Sequence, residues 1–333
     1  MDYTVLFKTQ PKFVKLINNS VKKNRLSQVY LLSGDKGTPK MQGAMYLANM
    51  ILCEKNEACG KCEACIKIEN KTHEGLFIID ALKSDSTIAS STIKKEQIED
   101  LMHEFSLSSS KTRVFIINNI EKATIASSNA LLKFLEEMHE DTYGILVTDN
   151  LDATLSTIKS RSQIISFEKI SKNDLLTYYQ SKSIDSEMAK VLATLTNDVN
   201  EGIELYNDEL VQSIITLVKK VNTALINKEH PILLMNDEGK FLLNVTDKKY
   251  HQMFIDLLIT ITNDRLYYLL GKHDEMVFLK TFEELDELGI DIHNISYKET
   301  FKQIEVMLEY KERVNYNLNL ELMYMDLFIR CEV

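Results

Sequence analysis

Apolar residues fall into two patterns along this chain: short unbroken runs, and stripes at helical spacing. Five runs, at 29–32, 76–79, 114–117, 144–148 and 164–167, read as strands buried on both faces. Between them the apolar positions recur every three or four residues. Phe13, Val14, Leu16 and Ile17 make one such stripe, and Met41, Ala44, Met45, Ala48, Ile51 and Leu52 a second. Ile98, Leu101, Met102 and Phe105 make a third, and Leu131, Phe134, Leu135 and Met138 a fourth. Buried strands alternating with helices predict a parallel α/β sheet. Ser127 and Ser128 read as caps of the fourth helix. Residues 153–158 read as a short helix, the Ser/Thr-rich stretch 82–93 as a loop, and Ser108, Ser109 and Ser110 as a helix break.

After Phe167 the runs stop and only the helical period remains. Ser171 reads as the cap of a helix carrying Leu175, Leu176, Tyr178 and Tyr179. Ser186 reads as the cap of one carrying Met188, Val191, Leu192 and Leu195. Helical stripes follow over 211–225, 250–270, 297–313 and 315–331. The second half is therefore expected to be all-helical. With 10 Gly and 3 Pro in 333 residues, neither a loop-rich β fold nor long flexible linkers fit.

Composition narrows the class. The chain is long enough for two or three domains, and 44% apolar with 26% charged residues is ordinary for a globular protein. No run is apolar enough over enough length to span a bilayer, and the first residues lack a signal-peptide pattern, so a cytoplasmic protein is expected. The net charge of −10 argues against this chain alone gripping a nucleic-acid backbone. It leaves room for an assembly in which other chains carry the positive surface.

The first strand leads into Ser33-Gly34-Asp35-Lys36-Gly37-Thr38-Pro39-Lys40-Met41 and then a helix. That is the setting of a phosphate-binding loop, whose pattern is Gly, four residues, then Gly-Lys-Ser/Thr. Gly34 and Lys40 hold their places, and Gly37 lies between them. Pro39 replaces the second glycine and brings no N–H; Met41 replaces the hydroxyl residue that would serve Mg²⁺. From this stretch alone a plain glycine-containing turn fits equally well. A second departure sits after the third strand, where such proteins carry an acidic pair. Asn118-Asn119 stand there, and an amide is neither a general base nor a strong Mg²⁺ ligand. Two losses at one site favour a phosphate loop without hydrolytic chemistry over two unrelated turns.

Four of the five cysteines cluster as Cys53, Cys59, Cys62 and Cys65, spaced C-x5-C-x2-C-x2-C. Four thiolates within so short a span can wrap one tetrahedral ion, with Gly60 at the tight turn. Zinc is the expected metal, with iron not excluded by spacing. Four sulfurs leave no open position, so the role is structural. His73 is a weaker alternative ligand, and Cys331 reads as a packing thiol.

These features together resemble the AAA+ clamp-loader family of the bacterial DNA polymerase III holoenzyme, and within it the delta-prime branch. The knuckle follows the loop helix as in that family. The segment Asn129-Ala130-Leu131-Leu132-Lys133-Phe134-Leu135-Glu136-Glu137 is similar to its Asn-Ala-Leu-Leu-Lys-x-Leu-Glu-Glu signature. Ser160-Arg161 is similar to its Ser-Arg-Cys motif, with Ser162 in the cysteine's place. Val314-Asn315-Tyr316-Asn317-Leu318-Asn319-Leu320-Glu321 resembles the end of its collar domain. The resemblance implies an AAA+ core over 1–168 with the knuckle at 53–65, a helical lid over 169–207 and a helical collar over 208–333. It implies that Arg161 is an arginine finger acting in trans on ATP held by a gamma/tau subunit. It implies assembly with gamma/tau and delta, with some contact to the sliding clamp and primed DNA, and no ATP hydrolysis by this chain. The rival readings are a gamma/tau-like ATPase motor, a zinc-containing nucleic-acid-binding scaffold, and an unrelated α/β scaffold.

Overall fold

The computed structural model describes residues 3–80, 92–106, 112–316 and 319–332. The expected loop over 82–93, apart from Thr92 and Ile93, lies outside them, as do Ser108, Ser109, Ser110, Asn317 and Leu318. The chain divides into two compact units, Met1–Asp174 and Leu175–Val333.

In the first unit the elements run α1 (Thr4–Thr9), α2 (Pro11–Lys22), β1 (Val29–Ser33), α3 (Lys40–Leu52), α4 (Glu63–Glu69) and β2 (Leu76–Asp80). They continue α5 (Lys95–Ser106), β3 (Arg113–Asn118), α6 (Ile125–Glu137), β4 (Thr142–Thr148), α7 (Ser156–Ser160) and β5 (Gln163–Ser166), and α8 (Lys172–Ser181) begins in this unit and continues into the second. The five strands form one parallel sheet in the order β2-β3-β4-β1-β5. The runs of β1, β3 and β4 are unbroken because alternate residues enter different cores. By contrast β5, expected to be buried on both faces, is an edge strand that packs Ile165 inward and leaves Ile164 exposed. Tyr30, Leu32, Val114, Ile116, Ile145 and Val147 face one core, with Phe13, Ile17, Ala44 and Leu47 from α2 and α3. Val29, Leu31, Phe115, Ile117 and Leu146 face the other, with Ile98, Leu101, Leu131, Phe134 and Ile158 from α5, α6 and α7.

The strand order has a consequence for chemistry. β1 lies between β4 and β5, and β4 lies beside β3. The turns after β1, β3 and β4 therefore open along one edge of the sheet. The caps differ from expectation. Thr124, not Ser127 or Ser128, caps α6 by accepting from Ser127 N. Ser127 is fully buried and donates to Ile93 O, which ties the start of α6 to an isolated bridge at Ile93 and Ala123. The short helix expected at 153–158 forms as α7, three residues later. The opening segment, for which no element was expected, contains α1.

The second unit carries α9 (Ser186–Leu195), α10 (Val199–Asn207), α11 (Glu209–Ile226), α12 (Pro231–Asn236), α13 (Lys240–Leu243) and α14 (Lys248–Leu269). α15 (Leu279–Glu287), α16 (Tyr297–Arg313) and α17 (Leu320–Cys331) complete it. Asp185 rather than Ser186 caps α9, because a carboxylate one residue earlier takes the Glu187 and Met188 N–H groups. α17 starts at Leu320 under an Asn319 cap, later than its apolar stripe suggested. A single core joins Val191 of α9 with Val218, Phe254, Leu258, Met307 and Phe328.

A buried polar junction fastens α15 to its neighbours. Glu187 accepts from Thr281 N at 2.8 Å, from Thr281 Oγ1 at 2.9 Å and from Lys219 Nζ at 2.6 Å. Asp264 accepts from Val277 N at 2.9 Å and Phe278 N at 2.6 Å. Burial pushes the Asp264 carboxyl up to about 6, against the opposing pull of those two N–H groups. Cys331 is fully buried in the helical core, and burial pushes its thiol up to about 12. That is the environment of a packing thiol.

Candidate functional site

The loop after β1 is turned in on itself. Lys40 is 3% exposed. Its Nζ donates to Gly34 O at 2.6 Å, Asp35 O at 2.6 Å and Thr38 Oγ1 at 2.8 Å, and lies 3.0 Å from Asp149 Oδ1. An ammonium has three N–H donors, and here four acceptors surround it. The backbone donors are also engaged: Thr38 N bonds Asp35 O at 3.2 Å and Lys40 N bonds Thr38 O at 2.7 Å, while Pro39 between them has none. Gly34 has a packing reason as well. A Cβ there would stand 2.8 Å from Phe167 O and 3.0 Å from Thr38 Oγ1. Gly37 takes φ +85°, the left-handed turn that glycine tolerates.

Asn118 and Asn119 line the same edge. Asn118 Nδ2 donates to Asp80 Oδ1 at 3.3 Å. Asn119 is left-handed at φ 55° and buried, and its Nδ2 reaches Asp149 Oδ2 at 3.3 Å and Glu121 Oε1 at 3.4 Å. Asp149 thus bridges Lys40 and Asn119. Sequence reading did not single out Asp149. A lone Asp after a strand carries no signal until the neighbour of that strand is known.

Arg161 sits elsewhere on the unit and is held differently. It caps the C-terminus of α7, with its side chain 40% exposed. Nη2 donates to Glu136 Oε1 at 2.5 Å and Nη1 to Thr157 O at 3.3 Å. Glu136 is 56% exposed in the last turn of α6, within the signature segment. An exposed pair of this kind contributes about 0–1 kcal/mol and exchanges partners at little cost.

The cysteines converge. Cys53 ends α3, Cys62 caps α4, and the four Sγ atoms lie within 4.8 Å of one another. Separations of 3.7 Å (Cys53–Cys59), 3.8 Å (Cys53–Cys62) and 4.0 Å (Cys59–Cys65) match the edge of about 3.8 Å that bonds of about 2.3 Å give in a tetrahedron. Cys65 N points at Cys62 Sγ at 3.4 Å, and Gly60 takes φ +67° at the turn. The thiols do not ionise alike. Burial raises Cys53, but N–H groups of Cys59, Glu57 and Lys55 outweigh it and bring that thiol down to about 6, whereas burial drives Cys65 up. One site able to bind a metal ion results, with no coordination position left over. His73 stands apart from it, accepting from Gly75 N through Nδ1 at 3.0 Å. Among the described residues, no other cluster of three or more such side chains is arranged to hold a metal.

A five-stranded parallel sheet in this order, helices on both faces, and a Gly-x5-Lys loop after the first strand define a AAA+-type P-loop unit, here joined to an all-helical one. The chain belongs to the DNA polymerase III delta-prime family of clamp-loader subunits, whose work is DNA polymerase III clamp loading. It is 31% identical over 319 residues to the DNA polymerase III subunit delta-prime of Bacillus subtilis, spanning 94% of this chain and 93% of that one. A family profile described as DNA polymerase III, delta subunit, matches residues 9–171. The DNA polymerase III subunit gamma of Buchnera aphidicola is 28% identical over 255 residues, 72% of this chain and 67% of that one. A solved gamma subunit-related protein from Thermotoga maritima aligns over 90% of this chain and 99% of that one, at 16% identity and a TM-score of 0.46. Among the described residues no helix is long and apolar enough to cross a membrane.

Proposed function

We propose that this chain is a non-hydrolysing, stator-like subunit of the clamp loader, which lends Arg161 to an ATP site on a neighbouring gamma/tau subunit. The observation that carries this reading is the contrast between its two candidate phosphate-facing cations. Lys40 is matched inside its own chain, and Arg161 lies at the surface against one exposed carboxylate. A guanidinium aimed at a transferring phosphoryl group stabilises its charge, worth roughly a thousandfold or more in rate. Asn118 and Asn119 offer no carboxylate to prime water, which supports a silent site in this chain rather than a gamma/tau-like motor.

The remaining parts fit the same role. One zinc ion held by Cys53, Cys59, Cys62 and Cys65 fixes the knuckle at 53–65, as a structural ion. Residues 1–168 form the AAA+ core, 169–207 the lid and 208–333 the collar through which the chain joins gamma/tau and delta. Supporting the last point, α17 exposes Leu322, Met325 and Ile329 on one face, and α16 exposes Tyr297, Phe301 and Leu308 on one face. Contact with the sliding clamp and primed DNA is minor for this chain. Only 16 of its 39 basic residues lie in 175–333, against 27 of its 49 acidic ones. The assembly works in the cytoplasm.

The test reconstitutes the loader with gamma/tau and delta and measures ATP turnover stimulated by primed DNA. Arg161→Ala should assemble normally and lower turnover about tenfold or more. Unchanged turnover in an intact assembly would remove the finger. Failure of the parent chain to assemble would remove the partners as well.

A further inference from the structure

We propose that Lys40, although it occupies the position of a phosphate-binding lysine, is an internal brace. Through Asp149 it also positions the segment that carries Arg161. The first half stands on geometry alone; the second rests on the function proposed above.

Three observations carry the brace. The ammonium is buried and surrounded by four acceptors of its own chain, two of them carbonyls of the loop it would serve. The N–H groups of Thr38 and Lys40, which would face an anion in a working loop, are bonded within the loop. Asp149 supplies the negative charge that a phosphate would otherwise bring, and it comes from the end of β4. A phosphate entering here would have to displace that carboxylate and reverse the loop's own hydrogen bonds. In this form the lysine ties the loop after β1 to the end of β4 and, through Asn119, to the end of β3.

The link to Arg161 runs along the chain from Asp149. The turn that follows is tightly bonded. Thr148 Oγ1 donates to Asn150 O and accepts from Asn150 N and Thr154 Oγ1. Asn150 Oδ1 accepts from Asp152 N and Ala153 N. Lys159 Nζ, on α7, donates back to Leu151 O at 3.2 Å. Asp149 is the near end of this turn, and Arg161 is the residue that closes α7 at its far end. Holding Asp149 in place therefore fixes the base from which Arg161 projects, and a misplacement of about 1 Å at a reacting centre can cost up to a hundredfold.

The experiment compares the parent chain with Lys40→Met, Asp149→Asn, the double variant and Arg161→Ala. Thermal unfolding and titration with MgADP are read on the free chain. ATP kcat and KM are read in the loader reconstituted with gamma/tau and delta. The parent should show no MgADP binding. Lys40→Met should lower Tm by about 3 °C or more, because it strips Gly34 O, Asp35 O and Thr38 Oγ1 of their donor and leaves the partly exposed Asp149 without its cation. The double variant should lose little beyond the worse single variant, because both remove one interaction. In the loader, Lys40→Met and the milder Asp149→Asn should lower kcat several-fold with KM for ATP unchanged. MgADP binding by the parent that Lys40→Met abolishes would overturn the brace, and so would unchanged Tm in both single variants. Unchanged kcat with lowered Tm, while Arg161→Ala is impaired, would overturn only the positioning role. If Arg161→Ala itself is unimpaired, the finger reading fails, and the brace is still decided by the unfolding and titration data.

Discussion

Lys40 and Arg161 lie in the same α/β unit and carry the same charge, yet they are held in opposite ways. Lys40 is buried among four acceptors of its own chain; Arg161 is 40% exposed, with one exposed carboxylate and one carbonyl. The lesson is that burial and partner count, not residue type, decide which cation has something to offer another molecule. A buried ammonium that is fully matched adds to the stability of its own fold. An exposed guanidinium adds little stability and can change partners. The helical unit holds a related contrast. Asp264 is matched by two N–H groups, whereas the fully buried Arg265 donates to Gln303 Oε1 through Nη2 alone, and burial brings it down to about 10.

The largest expected effect would break the contrast at its exposed end. Arg161→Lys keeps the charge but loses the planar fork, so it should fail to restore turnover lost in Arg161→Ala, while both unfold within about 4 °C of the parent. A rescued rate would mean that charge alone suffices. Next comes the knuckle, where four groups converge on a shared centre instead of being matched one by one. The purified chain should carry one zinc. Chelation or Cys62→Ser should release it and raise amide exchange over 53–69, leaving exchange in α14 and α16 unchanged. A coloured, iron-containing preparation would correct the choice of metal.

A smaller effect concerns pH. The Asp264 carboxyl sits at about 6 in the fold, above the roughly 3.9 of an unfolded chain. The folded state therefore binds its proton more tightly. This carboxyl's contribution is complete below about pH 4 and is lost as pH rises through about 6. Denaturant unfolding of the parent relative to Asp264→Asn should show an advantage about 1 kcal/mol smaller at pH 7 than at pH 5. A difference that stays flat would mean that the carboxylate is fully accommodated by its two N–H donors. The smallest effect tests the weak partner of Arg161. Glu136→Gln should change unfolding stability by less than about 1 kcal/mol, and a larger loss would make that pair structural.

The chain's own pattern determined a good deal. All five strands were legible as unbroken apolar runs, and most long helices could be read from their stripes. Burial on both faces accounts for the run only in the inner strands; edge strand β5 leaves Ile164 exposed. The cluster of four thiols was legible because they lie within one short segment, so spacing nearly fixes geometry. Arg161 was singled out only through a motif, since an arginine between a short helix and a strand has no physical signature, and the role given to it is the proposal made above. The caps at Thr124 and Asp185 were misread because neighbouring hydroxyl and carboxylate side chains compete for the same N–H groups, and the winner depends on where the first turn closes. Whether the loop lysine was free or spent lay beyond the sequence. Lys40 meets Asp149 only because β4 pairs with β1, and Asp149 meets Asn119 only because β3 lies on the other side of β4. Strand order is set by long-range burial and by how crossover helices pack, and no local pattern encodes it. The sequence supplied the residues and their local geometry, and the tertiary fold decided which of their charges meet.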